Sequence, residues 1–204
     1  MASEPACLAQ LPVPWGMLLP MADPAPRLVW VDLEMTGLEP ATCAIVEIAT
    51  LVTDAELHVL AEGPNLVLRP PAEALAGMSP FVRELHVKSG LLDRIHASTT
   101  TAAEAQRATL AFLEQHAVRG ASLLCGNSVW KDRAFLEREM PEVVAFLHYR
   151  MIDVSTLKEL VRRWYPTRYH APKKKEAHRA LDDIRESIEE LRWYRAQVFV
   201  PPAG

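Results

Sequence analysis

The sequence predicts a mixed α/β domain in which one β-sheet is flanked by helices. Three observations lead to that class. Apolar runs of strand length dominate the chain from Arg27 to about residue 69, and a helical periodicity of 3.6 residues dominates from about residue 101 onward. The third observation is size, because 204 residues, of which 50% are hydrophobic, are enough for one well-buried domain.

Strands are predicted at residues 28–33, 44–53 and 57–69. The last two are separated only by residues 54–56, which indicates a tight turn and therefore an antiparallel meander. A further short, buried strand is predicted at residues 123–125, ending at Gly126-Asn127.

The helices are predicted at residues 101–118, 130–139, 141–147, 155–164 and about 178–196. We expect a threonine of the 99–101 run to cap the first helix and Pro166 to follow the end of the fourth. The last helix has apolar residues on one side and charged residues on the other, as expected for a helix that packs on a sheet. Its apolar side comprises Leu181, Ile184, Ile188 and Leu191.

The ends of the chain differ in composition from this domain. Residues 1–26 hold six of the 16 prolines and no Lys or Arg, so they lack the basic segment of a signal peptide and the Arg-rich character of a transit peptide. We interpret residues 1–26 as a flexible N-terminal tail, in which Met17 and Met21 are alternative start positions. Residues 27–200 then form the domain and residues 201–204 a C-terminal tail.

Charge and cysteine usage narrow the function classes. A formal charge of −4 argues against a protein that coats long nucleic acid, because such binding depends on neutralising many phosphates. A short, locally held substrate is compatible with that charge. Cys7, Cys43 and Cys125 are odd in number and lie outside any CxxC pattern, so the sequence predicts neither a disulfide framework nor a zinc site. A reducing cytoplasm is the expected location, and no apolar run is long enough to span a membrane.

Four acidic residues predict a metal-dependent nuclease. Asp32 and Glu34 are two apart in an apolar strand, so their carboxylates project to the same face, and Asp132 and Asp183 are the other two. Clustered carboxylates repel one another unless cations neutralise them, and Mg²⁺ and Mn²⁺ prefer oxygen ligands. Two such ions can activate water and stabilise a leaving oxygen in phosphodiester hydrolysis. The competing interpretations are surface carboxylates on an edge strand for the first pair and a first-turn helix acid for Asp132.

Four motifs extend this interpretation to a family. WVDLEMTGL, CGNSVWKDRAFL, HYRMIDVSTLKEL and HRALDDIRES occur in that order between residues 30 and 187. Over about residues 27–200 the chain resembles the oligoribonucleases, 3′→5′ exoribonucleases of the DEDDh class. The resemblance implies a ribonuclease H-like fold with a mixed sheet, two divalent cations and a homodimer. It also implies that Asp32, Glu34, Asp132 and Asp183 are the metal ligands.

The resemblance assigns His178 as the general base, and a histidine pKa near 6.5 suits proton transfer from water near neutral pH. Helix geometry alone would pair His178 with Asp182, four residues later. The family motif instead implies Asp183, provided that His178 lies just before the helix. The competing interpretation of His178 is an ordinary surface histidine at a helix start.

The substrate-binding residues also come from the resemblance. Leu38 and Phe81 match positions that sandwich the bases, although Phe81 stands where the family usually has Trp, and His86 matches a nearby polar contact. A second group matches residues that cap the 5′ phosphate, with the tyrosine contributed by the partner subunit of the dimer. This group comprises Ser128, Tyr149, Arg150, Ser155 and Thr156. Core packing for Leu38 and Phe81, an N-cap role for Ser155 and a surface ion pair for Arg150 are the competing interpretations.

The sequence therefore predicts a cytoplasmic, homodimeric exoribonuclease that cuts very short oligoribonucleotides, with dinucleotides (pGpG among them) as the expected substrates. No membrane and no long nucleic acid are expected partners. Three alternatives remain open: a proofreading DNA exonuclease, a general RNA-trimming exonuclease and an inactive RNA-binding module.

Overall fold

Five strands form one sheet in the order β3-β2-β1-β4-β5. The structure is a computed structural model that describes residues 27–173 and 179–200. The strands are β1 Leu28–Met35, β2 Ile45–Thr53, β3 Val59–Val67, β4 Leu123–Gly126 and β5 Met151–Asp153.

Helices follow and flank the strands. They are α1 Ala72–Ala76, α2 Pro80–Lys88, α3 Leu91–Ala97, α4 Ala102–His116, α5 Val129–Glu139, α6 Pro141–Phe146, α7 Val154–Trp164 and α8 Ala180–Gln197. A short 3₁₀ turn at Thr167–Tyr169 lies between α7 and α8. The mixed α/β class is thus confirmed.

Strand pairing explains the mixed sheet. β1 pairs antiparallel with β2, and β2 pairs antiparallel with β3, so the predicted meander is confirmed. β4 pairs parallel with β1, and β5 pairs parallel with β4. These parallel pairs bring the carboxyl ends of β1, β4 and β5 to the same edge of the sheet. The helices α5 and α7, which follow β4 and β5, begin at that edge.

Alternation along β1 divides the core into two layers. Val29, Val31 and Leu33 pack against residues of α4, α5 and α6, whereas Leu28 and Trp30 pack against residues of α7 and α8. Asp32 and Glu34 continue the second face, because successive side chains alternate between faces. The charged end of β1 therefore faces the layer that contains α8.

The helix boundaries follow local chemistry. Thr101 caps α4 in a capping box, in which the Thr101 hydroxyl accepts from the Glu104 N–H and the Glu104 carboxylate accepts from the Thr101 N–H. α7 ends at Trp164, two residues before Pro166, as predicted.

The predicted tails at residues 1–26 and 201–204 lie outside the described residues. Among the described residues, no helix is both long enough and apolar enough to cross a membrane.

Candidate active site

Three carboxylates meet where β1 faces the start of α8. Oxygen atoms of Asp32, Glu34 and Asp183 all lie within 4.8 Å of one another. β1 contributes two of them because residues two apart share a face, and α8 contributes the third because it packs across β1 and β2. Such a set of hard oxygen donors suits a divalent cation such as Mg²⁺ or Mn²⁺.

The two adjacent aspartates of α8 point in different directions. Asp183 joins the cluster, whereas the exposed Asp182 pairs with Arg185, the two side chains being 3.3 Å apart. α8 begins at Ala180, so the four-residue helical relation between His178 and Asp182 does not apply. His178 itself lies outside the described residues.

Asp132 reaches the same region from α5. Its side chain is buried, and its Oδ1 accepts a hydrogen bond of 3.0 Å from the backbone N–H of Leu33, between the two acidic residues of β1. It does lie in the first turn of α5, as the competing interpretation supposed, but its carboxylate is tied to β1 as well. Burial raises the pKa of Asp132 to about 7.

The electrostatics of the cluster favour a cation. The pKa of Glu34 is raised to about 7, chiefly by burial and in addition by the neighbouring carboxylates of Asp183, Glu47 and Asp132. Each negative charge therefore makes the next one more costly. A bound divalent cation would reverse this penalty, so the donor set fits the metals that the sequence predicts.

His86, predicted as a polar contact near the bases, lies next to the acidic cluster. The ring is buried, its Nε2 is 2.9 Å from the carbonyl oxygen of Met35, and its Nδ1 is 4.0 Å from Oε2 of Glu34. The structure thus places His86 beside the carboxylate of Glu34 and against the end of β1. A direct substrate contact stays a prediction.

The two predicted base-stacking residues are on the surface. Leu38 is 71% exposed and Phe81 is 69% exposed, so the competing interpretation of both as core residues is wrong. The carbonyl of Leu38 accepts a hydrogen bond of 3.0 Å from Lys131 Nζ, which ties the loop after β1 to α5. Phe81 lies in the first turn of α2, which Ser79 caps.

The predicted phosphate-capping residues Ser128 and Ser155 are adjacent, with their hydroxyl oxygens 3.1 Å apart. Asp153 organises this pair, because its Oδ1 accepts hydrogen bonds of 2.9 Å from the backbone N–H groups of both serines. The N-cap of α7 is therefore Asp153 rather than Ser155. Both amides are therefore engaged. The half-buried Ser155 hydroxyl accepts from the Ser128 N–H and donates to Asn127 Oδ1 at 3.4 Å, so Ser128 and Thr156 are the exposed hydroxyl residues of the group.

Arg150 and Tyr149 lie together in the exposed loop before β5. The Arg150 guanidinium lies 5.4 Å from the centre of the Tyr149 ring, and the Tyr149 side chain is 68% exposed. No ion pair of Arg150 is found among the described residues, so the structure does not support the competing interpretation of a surface ion pair. The partner-subunit role of Tyr149 stays a prediction.

Sequence reasoning missed a hydrogen-bond chain behind the acidic cluster. Asn127 donates to the Ser187 hydroxyl at 2.7 Å and to Glu190 at 3.1 Å, and Ser187 donates to the backbone carbonyl of Asp183 at 2.7 Å. It also missed Glu47, a charged residue in the otherwise uncharged run IVEIATLVT. That single charge in a buried strand was the available signal.

Comparisons with known proteins show what the chain is similar to. Residues 29–191 match the sequence model of a protein family described as exonuclease. Two curated relatives are named oligoribonuclease. The protein from Streptomyces griseus is 54% identical over 180 residues, covering 87% of this chain and 89% of that relative, and the protein from Dichelobacter nodosus is 52% identical, covering 87% and 97%.

Solved structures support the fold. An apo exonuclease I matches with a TM-score of 0.66 at 14% identity, and an Escherichia coli exonuclease I bound to a dA16 oligonucleotide matches with a TM-score of 0.67 at 14% identity. Each match covers 85% of this chain, but only 43% and 41% of the respective larger chains. At such low identity the likeness is one of fold.

Proposed function

Because the chain belongs to the oligoribonucleases within the exonuclease family, and is therefore a hydrolytic exoribonuclease, we propose that it converts very short oligoribonucleotides to nucleoside monophosphates. Dinucleotides, including pGpG, are the proposed preferred substrates, and the cytoplasm is the proposed location. The observation that carries the proposal is the meeting of Asp32, Glu34 and Asp183 within 4.8 Å in a chain of this family.

Asp32, Glu34, Asp132 and Asp183 would hold two divalent cations, Mg²⁺ or Mn²⁺. When bound, such ions supply charge neutralisation for the attacking water and for the leaving oxygen of a phosphodiester. The acidic residues contribute by fixing the position of the metal site, since Asp132 is tied to the backbone of β1 and Asp183 to the first turn of α8.

His178 is the proposed general base. It is two residues from the first residue of α8, and Asp183 lies in that first turn, so the two residues belong to one short segment. Its imidazole would accept the proton of the attacking water, a role that a pKa near neutrality favours.

The proposed substrate site is bounded at both ends. Leu38 and Phe81 supply exposed apolar surfaces for stacking on the bases, with the smaller Phe ring in place of the usual Trp. At the 5′ end, Ser128, Ser155 and Thr156 offer hydroxyls and Arg150 a guanidinium for the phosphate. In the proposed homodimer, the partner's Tyr149 closes this end. His86, whose Nδ1 lies 4.0 Å from Glu34 Oε2, is the proposed polar contact near the bases.

The test is a length series. The purified protein is incubated with 5′-labelled RNAs of two to about twenty nucleotides, and with single-stranded DNA of matched length, with and without Mg²⁺. We expect Mg²⁺-dependent cleavage that is fastest on the dinucleotide. Equal rates at all RNA lengths would favour a general trimming enzyme, faster cleavage of DNA a proofreading exonuclease, and binding without cleavage an inactive module.

A further inference from the structure

Glu47 is a buried charge that the proposed reaction does not use. It lies in the middle of β2, whose nine residues are all buried, and its own side chain is 0% exposed. It is directly opposite Glu34 in the β1–β2 register, on the face that α8 covers. A carboxylate at such a position is costly unless cationic or hydrogen-bonding partners compensate its burial.

Two arginines from different elements meet one oxygen of Glu47. Arg94 Nη1 from α3 lies 3.1 Å from Oε1, and Arg179 Nη2 lies 3.3 Å from the same atom. Burial raises the pKa of Glu47, and both Arg179 and the backbone N–H of Ala180 act against that rise. The carboxylate therefore lies against the N-terminus of α8, where a negative charge is stabilised by the helix dipole.

α8 has no side-chain cap of its own. Arg179 is its N-cap residue and makes no side-chain capping hydrogen bond to the helix. The Arg179 carbonyl accepts the backbone N–H of Asp183 at 3.0 Å. Any displacement of Arg179 is thus passed through one hydrogen bond to the backbone of Asp183.

We propose that Glu47 is a positioning residue that acts through Arg179, holding the first turn of α8 so that the Asp183 carboxylate meets those of Asp32 and Glu34. This inference rests on the proposed function, in which Asp183 binds metal. Arg94 pairs with the same Glu47 oxygen but comes from α3, so it has no such route to Asp183.

Arg179→Gln and Arg94→Gln form a matched pair, because each removes one ion pair to the same oxygen of Glu47. The probe is Mn²⁺ alone, with free Mn²⁺ measured by electron paramagnetic resonance on the full-length protein. Loss of a residue that supports a metal ligand typically lowers metal affinity by roughly 10–100-fold. We expect a loss of that order in Arg179→Gln and in Glu47→Gln, no further loss in the double variant, and a change below about twofold in Arg94→Gln.

Two further variants separate the possible outcomes. Arg179→Lys retains a positive charge and should recover part of the Mn²⁺ affinity, while thermal unfolding reports on stability for every variant. Equal losses of affinity in Arg179→Gln and Arg94→Gln that follow their losses in melting temperature would overturn the positioning role. If Asp183→Ala binds Mn²⁺ poorly but Arg179→Gln binds it normally, only this inference fails. Unchanged binding by Asp183→Ala would remove the metal assignment and this inference with it.

Discussion

At the residue scale, the adjacent aspartates Asp182 and Asp183 of α8 test whether catalysis depends on the carboxylate that faces β1. Asp183 faces the carboxylates of β1, and the exposed Asp182 pairs with Arg185. A metal-site variant leaves transition-state charge without compensation, whereas Asp182→Ala removes only a surface ion pair. We expect Asp183→Ala to lower kcat by about 10³-fold and Asp182→Ala to retain nearly full activity. Single-turnover cleavage of a labelled dinucleotide measures both, and the reverse order would contradict the site.

The raised pKa of Glu34 predicts how pH affects the metal-free protein. Its folded pKa of about 7 lies above the ordinary value of 4.5, so the folded state binds the proton more tightly. The resulting stability is complete below pH 4.5 and is lost as pH rises towards 7, by about 3 kcal/mol at most.

We expect the melting temperature in EDTA to fall over that pH interval and Mg²⁺ to restore it above pH 7. Glu34→Gln is the control, because a neutral amide removes the Glu34 titration and should reduce the pH dependence to the part that Asp132 contributes. A melting temperature that is independent of pH in both proteins would show that the acidic cluster is not under electrostatic strain.

Residue-level prediction from the sequence succeeded where one rule governs one element. Period-two alternation was enough to place Asp32 and Glu34 on one face. Asp183 required the family motif, because the helical rule pointed to Asp182 until the start of α8 was known. The capping role of Asp153 was missed because the helix was predicted to begin at residue 155, whereas α7 begins at Val154. The second partner of Asp153, the backbone amide of Ser128, is 25 residues away in the chain.

At the element scale, the long periodic segments were predicted, and so were the short β4 and α6, whereas α1 to α3 and β5 were not. The β1–β3 meander, α4 and α8 each extend over enough residues for their pattern to emerge. Helices α1 to α3 have five, nine and seven residues, and α2 places Phe81 on its exposed side. β5 has three residues and depends on parallel pairing with β4, which no local pattern encodes.

Asp153 links element stability to the 5′ end of the proposed substrate site. Asp153→Ala removes the cap of α7 and releases the amides of Ser128 and Ser155, and loss of a cap typically costs about 1 kcal/mol. Thr101→Ala is a matched control, because it removes the cap of α4 on the other face of the sheet. We expect both variants to melt at lower temperature, but only Asp153→Ala to raise KM for a 5′-phosphorylated dinucleotide. If the two variants have the same KM, Asp153 does not contribute to phosphate binding.

At the scale of the whole molecule, charge and surface chemistry limit the substrate. The chain has a net charge of −4, so the described fold offers a few local cationic groups rather than an overall positive field. A binding site of that kind gains most of its affinity from close contacts at the two ends of a short ligand. We therefore expect the preference for short RNA to depend on the site, on the loop before β5 and on the proposed dimer together.

Arg150 and Tyr149 allow that property to be tested within and between subunits. Charge-assisted hydrogen bonds to a terminal phosphate contribute about 1.5–3 kcal/mol each, and RNAs longer than two nucleotides place an internal phosphate there instead. Arg150→Ala should therefore reduce the preference for dinucleotides by about tenfold while leaving cleavage of longer RNA little changed. The measurement is kcat/KM for RNAs of two and ten nucleotides.

Tyr149 should act on the other subunit if the proposed dimer is correct, because the side chain is 68% exposed on its own chain. A heterodimer of Tyr149→Ala with Asp183→Ala then contains one site with both an intact metal cluster and an intact tyrosine. Mixing the two variants should therefore restore part of the dinucleotide activity that each homodimer lacks, while mixing Arg150→Ala with Asp183→Ala should not, since Arg150 serves the site of its own chain. Light scattering and mass analysis would first show that heterodimers form. If they form without rescue, Tyr149 acts in the site of its own subunit. If a monomer is fully active, the dimer is not part of the mechanism.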